Sequence, residues 1–210
     1  MKKIMTFLTG VLSLFLLSSC TDFLTVNPSN QAEASTTMNN ERDAKVMIDG
    51  LMRNMTSSSY YGRNMVLYGD ARGGDYAVIS LGRSGGLDQM YTFAHSATAN
   101  SFSGFWTQIY YCMLLVNNIL ENITKIEANG ATTAGMTAIK GQALTLRALM
   151  HFDLVRLYGY PYTKDNGASL GIPIVTSILD VYATPHRSTV AEVYTQILSD
   201  LAEGATMLSD

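Results

Sequence analysis

The chain has 210 residues, of which 47% are hydrophobic and 15% charged, and a formal net charge of -3. That weak acidic balance gives no electrostatic footprint for DNA or RNA and no polybasic patch for anionic lipid. Two cysteines exclude a disulfide framework, and the length suits one domain with a real core or part of a larger one.

The first residues are a positive start, Lys2 and Lys3, followed by an apolar run over 4–17 broken only by Thr6, Thr9, Gly10 and Ser13. A membrane-spanning helix needs roughly 20 apolar residues, so this run reads as a secretory signal peptide. It ends Leu17-Ser18-Ser19-Cys20, which resembles the bacterial lipoprotein signal. The pattern implies cleavage after residue 19 and acylation of Cys20, whose thiolate is the soft nucleophile. Several acyl chains on one residue exceed the reversible binding of a single chain. The alternative is an exported soluble protein with a cysteine near its cleavage site. Residues 20–37, with Asn27-Pro28-Ser29-Asn30 and many small polar side chains, form an extended leader. The body of the protein is 38–210.

Apolar periodicity in the body predicts helices. The first spans 41–55, with Asn40 as N-cap, Asp43 at N3 and a face of Ala44, Met47, Ile48, Leu51 and Met55. The second spans 105–126, where Trp106, Ile109, Met113, Val116, Leu120 and Ile123 alternate steps of three and four. Trp106 is expected in the core at this spacing, and Cys112 is expected as a small buried hydrophobe. The third spans 136–157 with Ile139, Ala143, Leu146, Met150, Leu154 and Leu157, and stops before Gly159 and Pro161. The last opens on the capping box Thr189-Val190-Ala191-Glu192 and is expected to bury Val190, Tyr194, Ile197, Leu201, Ala205 and Leu208. Trp106, Ile109 and Tyr110, followed by Ala148 and Phe152, fit loosely the two helices of a tetratricopeptide unit. The expected fold class is all-α, a tetratricopeptide-like helical scaffold with long loops.

Residues 67–93, LYGDARGGDYAVISLGRSGGLDQMYTF, are read as a long loop between the first two helices. Sugar recognition needs flat aromatic faces together with carboxylates or guanidinium forks. Asp70, Arg72, Asp75, Tyr76, Arg83, Asp88 and Tyr91 supply those types on a loop held by a scaffold, and are the candidate glycan-binding residues. A solvated loop with local Asp–Arg pairs is the structural alternative. Catalytic signals are weak. His95, His151 and His186 show no zinc spacing, no nucleophile elbow is present, and the Arg83-Ser84-Gly85-Gly86 stretch lacks the Lys of a phosphate loop. Asp70 and Asp75 could pair as glycosidase carboxylates, but they share one glycine-rich segment. No catalytic residue, metal or cofactor is assigned.

The segments FWTQIYYCMLLVNNILENI, IKGQALTLRALMHFDLVRLYGYPY, GASLGIPIV and HRSTVAEVYTQILSDLAEGATML, in that order after a lipoprotein signal and Asp22-Phe23-Leu24, resemble the N-terminal half of the SusD/RagB family. The resemblance implies a lipid-anchored outer-membrane protein that binds oligosaccharides without cleaving them. It further implies delivery of the sugar to a TonB-dependent transporter. Family members are more than twice this long, so the chain is expected to be a fragment or a truncated product. A helical interaction scaffold without glycan binding of its own stays open.

Overall fold

The computed structural model describes residues 38–74, 79, 91–94 and 104–208, all within one compact unit, Met38–Asp210. Cys20 and the leader lie outside the described residues. So do Asp75, Tyr76, Arg83 and Asp88. The described residues form five α-helices: α1 Glu41–Met55, α2 Asn64–Gly73, α3 Gly104–Ala128, α4 Ala134–Tyr158 and α5 Val190–Met207, with a 3-10 turn at Tyr162–Lys164. Among the described residues the β pairing is an isolated antiparallel bridge between Leu170 and Thr189.

Local chemistry sets the helix ends. The Asn40 side chain accepts from the Asp43 amide at 3.1 Å, and the Asp43 carboxylate accepts from the Asn39 amide at 2.9 Å. The first bond satisfies an orphan donor of α1, and the second ties the residue before the cap to the first turn. The Thr189 hydroxyl accepts from the Glu192 amide at 3.2 Å and Glu192 accepts from the Thr189 amide at 2.8 Å, completing the expected capping box of α5. α4 ends where Gly159 leaves helical geometry and its amide bonds to Val155.

α3 and α4 fold back on each other across residues 129–133 as a helical hairpin. α4 is the centre of the fold, since it packs against α1, α3 and α5. Its apolar stripe is therefore wider than periodicity predicted. Ile139, Ala143, Met150 and Leu154 are buried as expected, but so are Leu144, Ala148 and Val155, together with the polar Arg147, His151 and Asp153. In α3, Ile109, Cys112, Met113, Val116, Leu120 and Ile123 are buried. Trp106 is half-buried against the rings of Tyr110 and Tyr158, at centroid distances of 4.8 and 5.0 Å.

The sequence reading of α5 placed Val190 and Ile197 correctly but rotated the rest of its face. The residues turned inward are Val190, Val193, Ile197, Asp200 and Gly204, while Leu201 and Leu208 stay 40% and 41% exposed. Two contacts impose the rotation. Arg147 of α4 forks onto Asp200 through Nε at 2.8 Å and Nη2 at 2.7 Å. One turn further on, α5 crosses α4 glycine to glycine: a Cβ added at Gly204 would stand 3.0 Å from the Gly141 carbonyl oxygen, and one at Gly141 would stand 3.0 Å from that of Gly204. Tyr194 and Leu201, together with Leu198, line an open groove of about 400 Å³ with Leu149 and Phe152 of α4.

A strap, residues 173–178, runs beside α3. Tyr110 donates to the carbonyl of Pro173, Asn117 to those of Val175 and Ser177, and Glu121 accepts from the Ile178 amide. Eleven helical steps cover about 16 Å. Five extended steps cover about the same distance, so strap and helix stay in register. From α4, His151 Nε2 accepts from the Val175 amide at 3.2 Å and Arg147 Nη1 donates to the Thr176 carbonyl at 3.1 Å.

Candidate functional site

Between α1 and α2 the chain makes a tight corner over residues 56–63. Gly62 is needed there, because a Cβ would stand 2.2 Å from the Thr56 carbonyl oxygen. The corner delivers Tyr60 and Tyr61, and α2 follows until Gly74 closes it at φ +81°, a left-handed position that glycine adopts at no steric cost.

α2 corrects the reading of 67–93 as a loop from its start. Asp70 and Arg72 sit on a helix, not on a loop. Met65, Tyr68 and Arg72 follow at steps of four or three, a helical stripe that the glycine-rich composition of the segment masked. The Arg72 guanidinium lies 5.4 Å from the Tyr68 ring centroid and 4.3 Å from that of Phe93, which brings the far end of the segment back to the end of α2. Phe93 takes the left-handed conformation at φ 59°. Tyr91 is 39% exposed and Asp70 is half-buried. Of the candidates, then, Asp70 and Arg72 share α2, Arg72 is tied to the short stretch that holds Tyr91, and the other four lie outside the described residues.

The site that sequence reasoning missed stands under α2. Tyr61, Met65, Tyr68, Gly69, Arg156 and Leu157 line a cleft of about 380 Å³, inside the roughly 300–1,000 Å³ typical of small-ligand pockets. Behind it lies Asp153, fully buried. Its Oδ2 accepts the hydroxyls of Tyr60 and Tyr61, each at 2.6 Å, and its Oδ1 accepts Arg156 Nη2 at 2.5 Å. Burial, and then Asp153 beside it, pushes the Tyr60 phenol far up. Burial and the bond to Asp153 push Tyr61 up to about 12. Both phenols therefore stay protonated donors near neutral pH. The Arg156 guanidinium also stacks on Phe152, 4.4 Å from the ring centroid, and Tyr68 is braced edge-on by Phe105 at 5.8 Å. The sequence signal was present in Tyr60-Tyr61 and in the Asp153–Arg156 helical spacing, but the partners lie more than ninety residues apart in the chain.

A second cleft, of about 440 Å³, is lined by Glu121, Lys125, Lys140, Arg147 and Glu203 among others, and offers no aromatic face. Among the described residues no group of three or more His, Cys, Asp or Glu side chains is placed to hold a metal ion. Nor is any helix there long and apolar enough to cross a membrane.

A SusD-like family profile, described as "Starch-binding associating with outer membrane", matches residues 22–210. The chain belongs to the SusD-like family. It is 26% identical over 204 residues to SusD-like protein P2 of Formosa agariphila, covering 97% of this chain and 38% of that protein. A solved protein of Bacteroides vulgatus, provisionally described as sugar binding, is 36% identical with a TM-score of 0.71 over 83% of this chain and 38% of its own. A SusD superfamily protein of Bacteroides thetaiotaomicron is 34% identical with a TM-score of 0.69, over 81% and 38%. The helical, tetratricopeptide-like fold expected from the sequence is thus the SusD-like fold, and this chain spans about 38% of the length of these relatives.

Proposed function

We propose that this chain serves as a surface-exposed, lipid-anchored carbohydrate-binding protein of the outer membrane, which captures oligosaccharides and passes them uncleaved to a TonB-dependent transporter. The observation that carries this reading is the match over residues 22–210 to a family described by starch binding and association with the outer membrane. The order of signal, leader and helical body fits it. Cys20 is the tether. Asp70, Arg72, Asp75, Tyr76, Arg83, Asp88 and Tyr91 remain the proposed sugar-facing residues of the segment after α1.

The test is calorimetric titration of the full chain with a panel of oligosaccharides, paired with an assay for newly released reducing ends. Binding without release is expected, and replacing Tyr76 and Tyr91 together by alanine should weaken it at least tenfold. Released reducing ends would overturn the non-catalytic reading, and unchanged affinity in the double variant would remove those two residues from the site. Mass analysis of the N-terminal peptide extracted from membranes should show acyl additions on Cys20; a bare thiol there would refute the tether.

A further inference from the structure

The cleft under α2 carries a more specific statement about the ligand, which rests on the carbohydrate reading above. Its mouth is prearranged by a residue that never reaches it. Asp153 is 0% exposed, yet it orients Tyr61, which is 37% exposed, and Arg156, whose side chain is 49% exposed. Both retain bonding capacity toward the cleft. A phenol that donates its proton can still accept, and a guanidinium has five N–H donors in a planar fork, of which Asp153 takes one of the two on Nη2. The rings of Tyr61 and Tyr68, with Met65 and Leu157, supply apolar surface of the kind that covers the C–H face of a sugar. Gly69 leaves its edge of the cleft open, since an added Cβ would meet nothing within 4 Å.

Charge then decides the class of ligand. Arg156 is the charged residue among those lining the cleft, and its charge is matched by a carboxylate 2.5 Å away that is packed too tightly to move aside. An acidic sugar reaching Arg156 would meet the fixed negative charge of Asp153 behind it, poorly screened because Asp153 is shut off from water. A neutral ring meets no such opposition, and its vicinal hydroxyls match the guanidinium fork.

We infer that the Tyr61–Tyr68–Arg156 cleft is a binding subsite for an uncharged pyranose ring, with Asp153 as the positioning residue that makes it select against acidic sugars. The ring lies against the tyrosines, adjacent hydroxyls accept from Arg156, and one hydroxyl donates to the Tyr61 oxygen.

The experiment titrates the full chain with neutral hexasaccharides (maltohexaose, cellohexaose, mannohexaose and xylohexaose) and with hexagalacturonate as the acidic probe. The unchanged protein should bind at least one neutral probe and bind the acidic one at least tenfold more weakly. Tyr61→Ala and Arg156→Gln should each weaken the neutral probe by tenfold or more. Arg156 is half exposed, so its variant carries the test should Tyr61→Ala unfold. Asp153→Asn should erase most of the preference, raising affinity for hexagalacturonate relative to the neutral probe by about tenfold, because Arg156 is then uncompensated. A purely structural role for Asp153 would weaken both probes alike. If sugars bind but Tyr61→Ala and Arg156→Gln, both folded, leave affinity within twofold, the subsite is overturned while carbohydrate capture stands. Equal loss of both probes in Asp153→Asn overturns the selectivity role. If no sugar binds at all, this inference falls together with the reading on which it rests.

Discussion

Among the described residues two buried carboxylates are each gripped by an arginine, and the molecule uses them in opposite ways. Asp200 accepts from Nε and Nη2 of Arg147 and from the Gln196 amide at 2.9 Å, while Arg147 Nη1 donates to the Asn117 side chain and to the Thr176 carbonyl. The Arg147 and Asp200 side chains are 10% and 2% exposed, so this network bonds inward and joins α3, α4, α5 and the strap. Asp153 is buried just as deeply, but its arginine is half exposed and one of its two phenols opens on a cleft. The closed network fixes how elements cross. The open one fixes how side chains face outward, which is what a recognition surface requires.

The comparison breaks most visibly at Asp200. Asp200→Ala leaves a buried guanidinium uncompensated and should cost about 3–5 kcal/mol in urea unfolding, whereas joint Arg147→Met and Asp200→Leu should recover most of that loss. A cost under about 1 kcal/mol for the single variant would mean that the pair is solvated. Next comes the neighbouring His151, whose basicity burial lowers from 6.5 to about 4, with Arg147 also opposing its charge and Asp200 favouring it. The unfolded chain therefore binds the proton more readily. His151 contributes stability that is full above pH 6.5 and is lost as pH falls toward 4, about 3 kcal/mol across that window. His151→Gln should flatten this part of the pH–stability curve, and an unflattened curve would assign the acid sensitivity elsewhere. At the open carboxylate, Asp153→Asn should cost about 1–3 kcal/mol, because an amide nitrogen cannot accept the donor it replaces. A loss as large as that of Asp200→Ala would erase the distinction between the two networks. Smallest is Thr189→Ala, a cap distant from both carboxylates, at about 1 kcal/mol by thermal melting.

The contrast also explains what was legible in the sequence. α1, α3, α4 and α5 were readable because a helix writes its burial as periodicity and its ends as caps, as Asn40 and Thr189 do. Periodicity fails where polar residues are inside. It placed Leu201 in the core and passed over Asp200, since nothing local in α5 reveals that Arg147, 53 residues earlier, is its partner. α2 was missed because glycine and short polar residues around it read as loop chemistry, although Met65, Tyr68 and Arg72 keep a helical spacing. The same limit hid the cleft. Tyr61 and Arg156 meet only through Asp153, and a constellation assembled from two distant segments has no motif.

The strap has a kinetic consequence. The Val175 amide and the carbonyls of Val175, Thr176 and Ser177 are satisfied by side chains of both α3 and α4 rather than by a neighbouring strand. Such a segment can become ordered only after the two helices have docked, so it forms late and is released early. Deuterium uptake at Val175 therefore clocks the parting of α3 from α4 rather than the fraying of a surface loop.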